Sequence, residues 1–198
     1  NFNQEAHQLL SDFENRARAE LAASDMIHAD ETGINISGKR HWLHGASNES
    51  WTFYQPHEKR GTDAMNDMGI LPAFKGILCH DHWKPYYKYD CTHALCNAHH
   101  LRELTRAWEQ DDQKWALQLK KLLETINRDV TDAGGALNAE KSQKYRQQYR
   151  ELIKQAEIES PDPPRPKGKK GRVKKSKSRN LLERLRDYED DTLRFMDV

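Results

Sequence analysis

The sequence predicts an α/β (α+β) fold built on one mixed five-stranded sheet with flanking helices. Three observations carry that reading. Short apolar and aromatic runs recur between residues 26 and 96, turn residues separate them, and helix-period patterns fill both ends of the chain. Phe2, Ala6, Leu9, Leu10, Phe13, Ala17 and Leu21 repeat at helical spacing and predict a first helix over 4–23. Three strands follow, over 26–36, 41–47 and 51–56. Ser37-Gly38-Lys39-Arg40 divides the first pair and Asn48-Glu49-Ser50 the second. Trp42, Trp51, Phe53 and Tyr54 suit strands, so the three read as an antiparallel meander.

Thr62 predicts the cap of a short helix running to Met68, and Pro72 closes that region. A fourth strand runs through Gly76-Ile77-Leu78-Cys79-His80-Asp81. A fifth, Thr92 to Cys96, leads into a helix over 98–109. Beyond residue 110, Trp115, Leu119, Leu122, Leu123 and Ile126 form one helical stripe. Tyr145, Tyr149, Leu152, Ile153 and Ala156 form another, and Gly134-Gly135 between them predicts a helical hairpin. The Pro- and Lys-rich stretch 160–179 has too little apolar surface for a core and is expected to be mobile. Asn180 and Glu183 have capping-box spacing and predict a last helix through Leu185, Tyr188 and Phe195.

The chain of 198 residues is long enough for one sizeable core with a helical appendage. No apolar run approaches the roughly 20 residues of a membrane span, and the start Asn1-Phe2-Asn3-Gln4 is no signal peptide. The absence of an initiator Met predicts a fragment or a processed chain. Three cysteines, Cys79, Cys91 and Cys96, lack the spacing of a zinc ribbon and read as reduced cytosolic thiols. The net charge of +1 hides an asymmetry. Arg165, Lys167, Lys169, Lys170, Arg172, Lys174, Lys175, Lys177 and Arg179 stand against Asp162 alone, so 161–179 is +8 and the remainder −7. A basic arm on an acidic core fits a nucleic-acid protein, and these nine cations are candidate DNA-backbone contacts; a solvated linker has the same composition.

Two aspartates stand out as candidate chemistry. Asp30 follows Met26-Ile27-His28-Ala29, and Asp81 follows Ile77-Leu78-Cys79-His80. Each carboxylate therefore sits at or near the end of a buried strand. Carboxylates on neighbouring strands can share divalent cations, which serve phosphodiester chemistry. Glu31 alternates to the opposite face and is the poorer ligand. His80, His82, Cys91, His93, Cys96, His99 and His100 crowd one segment, but strand alternation turns His80 and His82 away from Asp81. Trp83, Tyr86 and Tyr87 either cover the sheet or stack on bases.

At these residues the sequence resembles the insertion sequence 66 transposase family. The resemblance rests on His28-Ala29-Asp30-Glu31-Thr32, Gly61-Thr62-Asp63-Ala64 and Cys79-His80-Asp81-His82-Trp83-Lys84-Pro85-Tyr86. It extends through Cys96-Asn97-Ala98-His99-His100-Leu101-Arg102-Glu103-Leu104 and Ser178-Arg179-Asn180-Leu181-Leu182-Glu183-Arg184-Leu185. The resemblance implies an RNase H-like fold with a helical insertion after the fifth strand. It also implies an Asp-Asp-Glu site in which two Mg²⁺ (or Mn²⁺) ions serve DNA cutting and joining. Asp30 corresponds to the first catalytic and metal-binding carboxylate and Asp81 to the second, while Cys96 and His99 correspond to a structural CxxH element. The implied partners are DNA, as transposon ends and target, and further copies of the chain; the implied setting is the bacterial cytoplasm and nucleoid.

On this reading 1–24 is an N-terminal helix and 25–109 the partial catalytic core. A helical insertion over 110–159, a basic linker over 160–179 and a C-terminal helix over 180–198 follow. The family's catalytic Glu lies in an Asn-Asn-x-Ala-Glu-Arg stretch that these residues do not contain. Its upstream zinc-binding and helix-turn-helix regions are missing as well. The expectation is a central transposase segment, truncated before the catalytic Glu and inactive by itself; Glu183, Glu189 and Asp190 do not match the motif. The competing readings are a catalytically inactive remnant that binds DNA or a partner, and a structural zinc module.

Overall fold

Residues 1–94 and 95–198 form two units in the computed structural model, which describes residues 1–164 and 173–198. In the first unit, α1 (Phe2–Leu9) and α2 (Ser11–Ala22) replace the single helix expected over 4–23. The break falls at Leu10, whose N–H is shared between the carbonyls of Ala6 and His7. No residue of α1 is buried, whereas α2 buries Ala17 and Leu21. Only α2 therefore has tertiary packing to hold it in place.

Strands β1 (Met26–Ile36), β2 (Lys39–Ser47) and β3 (Thr52–His57) form the expected antiparallel meander. The first turn is tighter than expected. Ser37 and Gly38 alone make it, both at positive φ (51° and 80°), which matches the twist of a two-residue hairpin and lets β2 start at Lys39. Helix α3 (Thr62–Met68) ends on Gly69 in the left-handed conformation. Strand β4 (Ile77–His80) returns parallel to β1, and β5 (Thr92–Leu95) completes the sheet in the order β3-β2-β1-β4-β5. This is the mixed five-stranded sheet that the sequence predicts. Its core joins Leu21, Ile27, Ala29, Phe53, Met65, Met68, Phe74, Leu78 and Tyr86.

Gly76 sets the approach of β4 to β1. A Cβ there would lie 2.3 Å from the Asp25 carbonyl oxygen and 2.6 Å from that of Ser24, both backbone atoms. The next residue, Ile77, donates its N–H to Asp25 O at 2.7 Å. Only glycine allows the chain this close.

The second unit is helical: α4 (Asn97–Asp111), α5 (Lys114–Asp132), α6 (Ala139–Glu159), α7 (Lys177–Asp187) and α8 (Glu189–Leu193). Helices α5 and α6 are the expected hairpin, with Gly134 and Gly135 at positive φ between them. The division differs from the expected boundary at 109, because Leu104 and Ala107 of α4 join Trp115, Leu119, Leu123, Tyr149, Ile153, Leu181 and Leu185 in a separate core. Helix α7 also begins earlier than expected. The Ser176 hydroxyl, not Asn180, caps it by accepting the Arg179 N–H at 3.0 Å, so the C-terminal end of the expected linker is helix. No helix among the described residues is long and apolar enough to cross a membrane.

Candidate active site

Strand alternation decides which side chains β1 offers. Ile27 and Ala29 are buried, while His28 and Asp30 are exposed. The parallel pairing Met26–Ile77, Ile27–Leu78 and His28–Cys79 ends two residues before both Asp30 and Asp81. Asp81 lies one residue beyond β4 rather than within it. Neighbouring strands run about 4.8 Å apart, and the same register extended by two residues would set the two aspartates level. Each carboxylate accepts a backbone N–H through Oδ1: Asp30 from Glu31 at 2.9 Å, and Asp81 from Trp83 at 2.9 Å. Among the described residues neither is ion-paired to a Lys or Arg.

Glu31 behaves differently. It continues the buried face of Ile27 and Ala29, and its side chain has no exposed surface. Oε1 accepts from Arg60 Nε at 2.8 Å and lies 2.7 Å from Nη2, while Oε2 accepts from the Tyr86 hydroxyl at 2.6 Å. Burial raises the Glu31 carboxyl above the usual carboxylate range, against its hydrogen bonds to Tyr86 and Arg60; the charge of Asp81 adds to the rise. The Tyr86 hydroxyl is raised in turn by burial, then by the charges of Glu31, Asp81 and Asp30. Arg60 lies between two indoles, its guanidinium carbon 4.8 Å from the Trp42 ring centre and 4.3 Å from that of Trp83. The sequence carries one signal of this network: a carboxylate in register with two buried apolar residues must find partners. Its partners, Arg60 and Tyr86, are too distant in the chain for local pattern to name.

In the histidine-rich segment His80 and His100 are buried, and His82, His93 and His99 are half-buried. His80 is buried, stacks on Tyr86 at 4.8 Å between ring centres, and its Nε2 lies 3.1 Å from His93 Nδ1. Burial holds His80 at a pKa of about 3, with the charge of His93 acting in the same sense. Among the described residues no three His, Cys, Asp or Glu side chains gather to hold a metal ion, and no disulfide joins the cysteines. Cys96 occupies the N-cap position of α4, where its carbonyl accepts the N–H groups of His99 and His100 at 3.0 and 3.3 Å. The Cys96–His99 pair thus marks a helix start. Asn97 secures it by donating to Thr192 O at 3.0 Å.

Of the nine basic candidates, Arg165, Lys167, Lys169, Lys170 and Arg172 lie outside the described residues. Arg179 is not available to DNA phosphates. Its side chain is 3% exposed and pairs with Glu157 at 2.5 Å, Asp162 at 3.2 Å and Glu183 at 3.4 Å. Lys175 is also engaged, with Asp162 at 2.8 Å and with Glu183. Composition counted these two cations as free because their carboxylate partners come from outside or at the edge of the basic stretch. Lys174 and Lys177 are exposed.

A family model described as the transposase IS66 family matches residues 1–198. Among solved structures, the HTLV-2 integrase catalytic core domain in complex with magnesium (trimeric form) is similar at a TM-score of 0.30 and 14% identity, over 73% of this chain and 90% of that one. No curated protein matches.

Proposed function

The chain belongs to the transposase IS66 family, and from that premise we propose that Asp30 and Asp81 are the first two metal-binding carboxylates of a DNA transposase active site. The observation that supports the reading is the β1–β4 register, whose last pair, His28–Cys79, stands two residues before both Asp30 and Asp81. The donor chemistry fits a hard divalent cation. Both side chains offer oxygen, and neither is ion-paired to a Lys or Arg among the described residues, whereas Glu31 is committed to Arg60.

Bound Mg²⁺ or Mn²⁺ would supply activation of water or a DNA 3′-hydroxyl and stabilisation of the departing oxygen. The protein's part is positioning. The backbone N–H of Glu31 orients Asp30 and that of Trp83 orients Asp81, so neither carboxylate must be ordered afresh when DNA arrives. Two carboxylates leave two dications undercompensated, and a third acidic ligand from an Asn-Asn-x-Ala-Glu-Arg stretch would complete the set.

The test is a nicking assay on terminal-repeat DNA with Mg²⁺ or Mn²⁺. It compares this chain, a version extended through that stretch, and the extended Asp30→Ala and Asp81→Ala variants. The chain alone is expected not to cut, the extended version to cut, and either substitution to reduce cutting by about 10³-fold or more. Cutting by the extended protein that survives both substitutions would refute the assignment. Cutting by the short chain that disappears on Asp30→Ala would show that an acid within these residues completes the site, and Glu183 would be the first to replace.

A further inference from the structure

Glu31 follows Asp30 directly, yet its carboxylate is wholly buried and faces the core. A buried ion pair is a poor device for stability, since apolar residues of similar volume often serve as well. What it supplies here is geometry. From Glu31 two routes lead to the turn that carries Asp81. In one, Oε2 accepts the Tyr86 hydroxyl at 2.6 Å, and Tyr86 sits in the short 3₁₀ helix Lys84–Lys88 that follows Asp81. In the other, Oε1 takes Arg60, whose guanidinium carbon lies 4.3 Å from the ring centre of Trp83, and Trp83 donates its N–H to Asp81 Oδ1 at 2.9 Å. The Glu31 backbone N–H meanwhile holds Asp30. One residue therefore touches the surroundings of both aspartates.

We propose that Glu31 is a positioning residue which, through Tyr86 and Arg60, locks the Asp81 turn against β1 and so keeps Asp81 level with Asp30. The proposal rests on the reading of Asp30 and Asp81 as cation ligands. Asp81 stands beyond the last paired residue of β4, and on this proposal the Glu31 network takes over from the ladder at that point.

The experiment uses the full chain and its Glu31→Gln, Tyr86→Phe and Arg60→Lys variants, with Asp30→Asn and Asp81→Asn as references. Two quantities are read: amide hydrogen exchange at Trp83 by NMR, and Mn²⁺ affinity from the electron paramagnetic resonance of free Mn²⁺. Loss of one hydrogen bond to a charged group is expected to speed Trp83 exchange about tenfold. Mn²⁺ affinity should fall about tenfold, as when a partner that orients a metal ligand is removed. Amides of β2 and β3, in the same unit, should keep their protection, which separates a loosened turn from unfolding of that unit. Tyr86→Phe retains the ring stacked on His80 and serves if Glu31→Gln does not fold. Mn²⁺ binding lost in Asp30→Asn and Asp81→Asn, but unchanged together with Trp83 exchange in the three network variants, would overturn the positioning role alone. Mn²⁺ binding indifferent to Asp30→Asn and Asp81→Asn would overturn the ligand assignment, and the positioning role with it.

Discussion

At the scale of single residues, buried polar groups define this sheet more sharply than its apolar ones. His44 is 2% exposed on β2, with Nε2 3.3 Å from the Lys59 carbonyl oxygen. Burial lowers its pKa below the ordinary 6.5, and His80, held at about 3, shifts in the same direction. The unfolded chain therefore binds more protons than the folded one below pH about 6.5, and stability must fall as pH drops through that window. Urea unfolding at pH 7.0, 6.0 and 5.0 should show a decreasing midpoint, and His44→Gln should flatten the decrease. A midpoint that rises toward pH 5.0 would contradict the buried neutral state of these rings. Glu31 is the counterpart among the acids. Alternation along β1 put it on the inner face, but its fixed partners lie 29 and 55 residues away in the chain, and no local pattern records such a pairing.

At the scale of elements, the close backbone approach at Gly76 sets how β4 enters beside β1. Gly76→Ala would force its Cβ against two carbonyl oxygens of the segment leading into β1. The expected cost is about 1–3 kcal/mol of stability, typical of overpacking against atoms that cannot move aside. Gly38→Ala makes the comparison, since a Cβ there meets nothing within 4 Å although its φ of +80° carries backbone strain. Chemical denaturation of both variants, with the midpoint of residues 1–94 followed separately, measures the difference; equal losses would show that the approach is soft. Most elements were legible in the sequence where periodicity and punctuation agree. The β1 bounds match their pattern because the Ser37-Gly38 turn marks the end chemically; the α3 bounds match as well, although Gly61 and not Thr62 holds the N-cap position and no side chain caps the helix. The start of α7 was not legible, because its cap, Ser176, sits in a Lys- and Ser-rich run that composition assigns to a linker. Nor was the break at Leu10, where apolar spacing continues without a tertiary partner to keep the helix straight.

At the scale of the whole molecule, charge is distributed between internal and external use. Arg179 and Lys175 are paired with Glu157, Asp162 and Glu183, which leaves fewer cations for DNA than the sequence count implies. The Arg165, Lys167, Lys169, Lys170 and Arg172 set, retained as a proposal for phosphate contact, should therefore carry the salt dependence of DNA binding. Replacing all five with Gln is expected to reduce the slope of log affinity against log salt by about 4.5, at roughly 0.9 per phosphate neutralised. Fluorescence anisotropy on a labelled duplex from 50 to 200 mM salt (about the range over which such binding collapses) gives the slope. An unchanged slope would assign the contacts elsewhere. The family and the mixed sheet were both legible, since motif and strand order are properties of the chain. The proposed joint use of Asp30 and Asp81 depends on a register that only the folded sheet specifies.

The central claim is that Asp30 and Asp81 act on one cation, and a double-mutant cycle on Mn²⁺ binding tests it most directly. Free Mn²⁺ is titrated against the chain, Asp30→Asn, Asp81→Asn and the double variant by electron paramagnetic resonance. If both carboxylates hold the same ion, each single substitution removes nearly all the binding that the double one removes, and the losses are strongly non-additive. Independent, additive losses, or binding that survives the double substitution, would contradict a shared site.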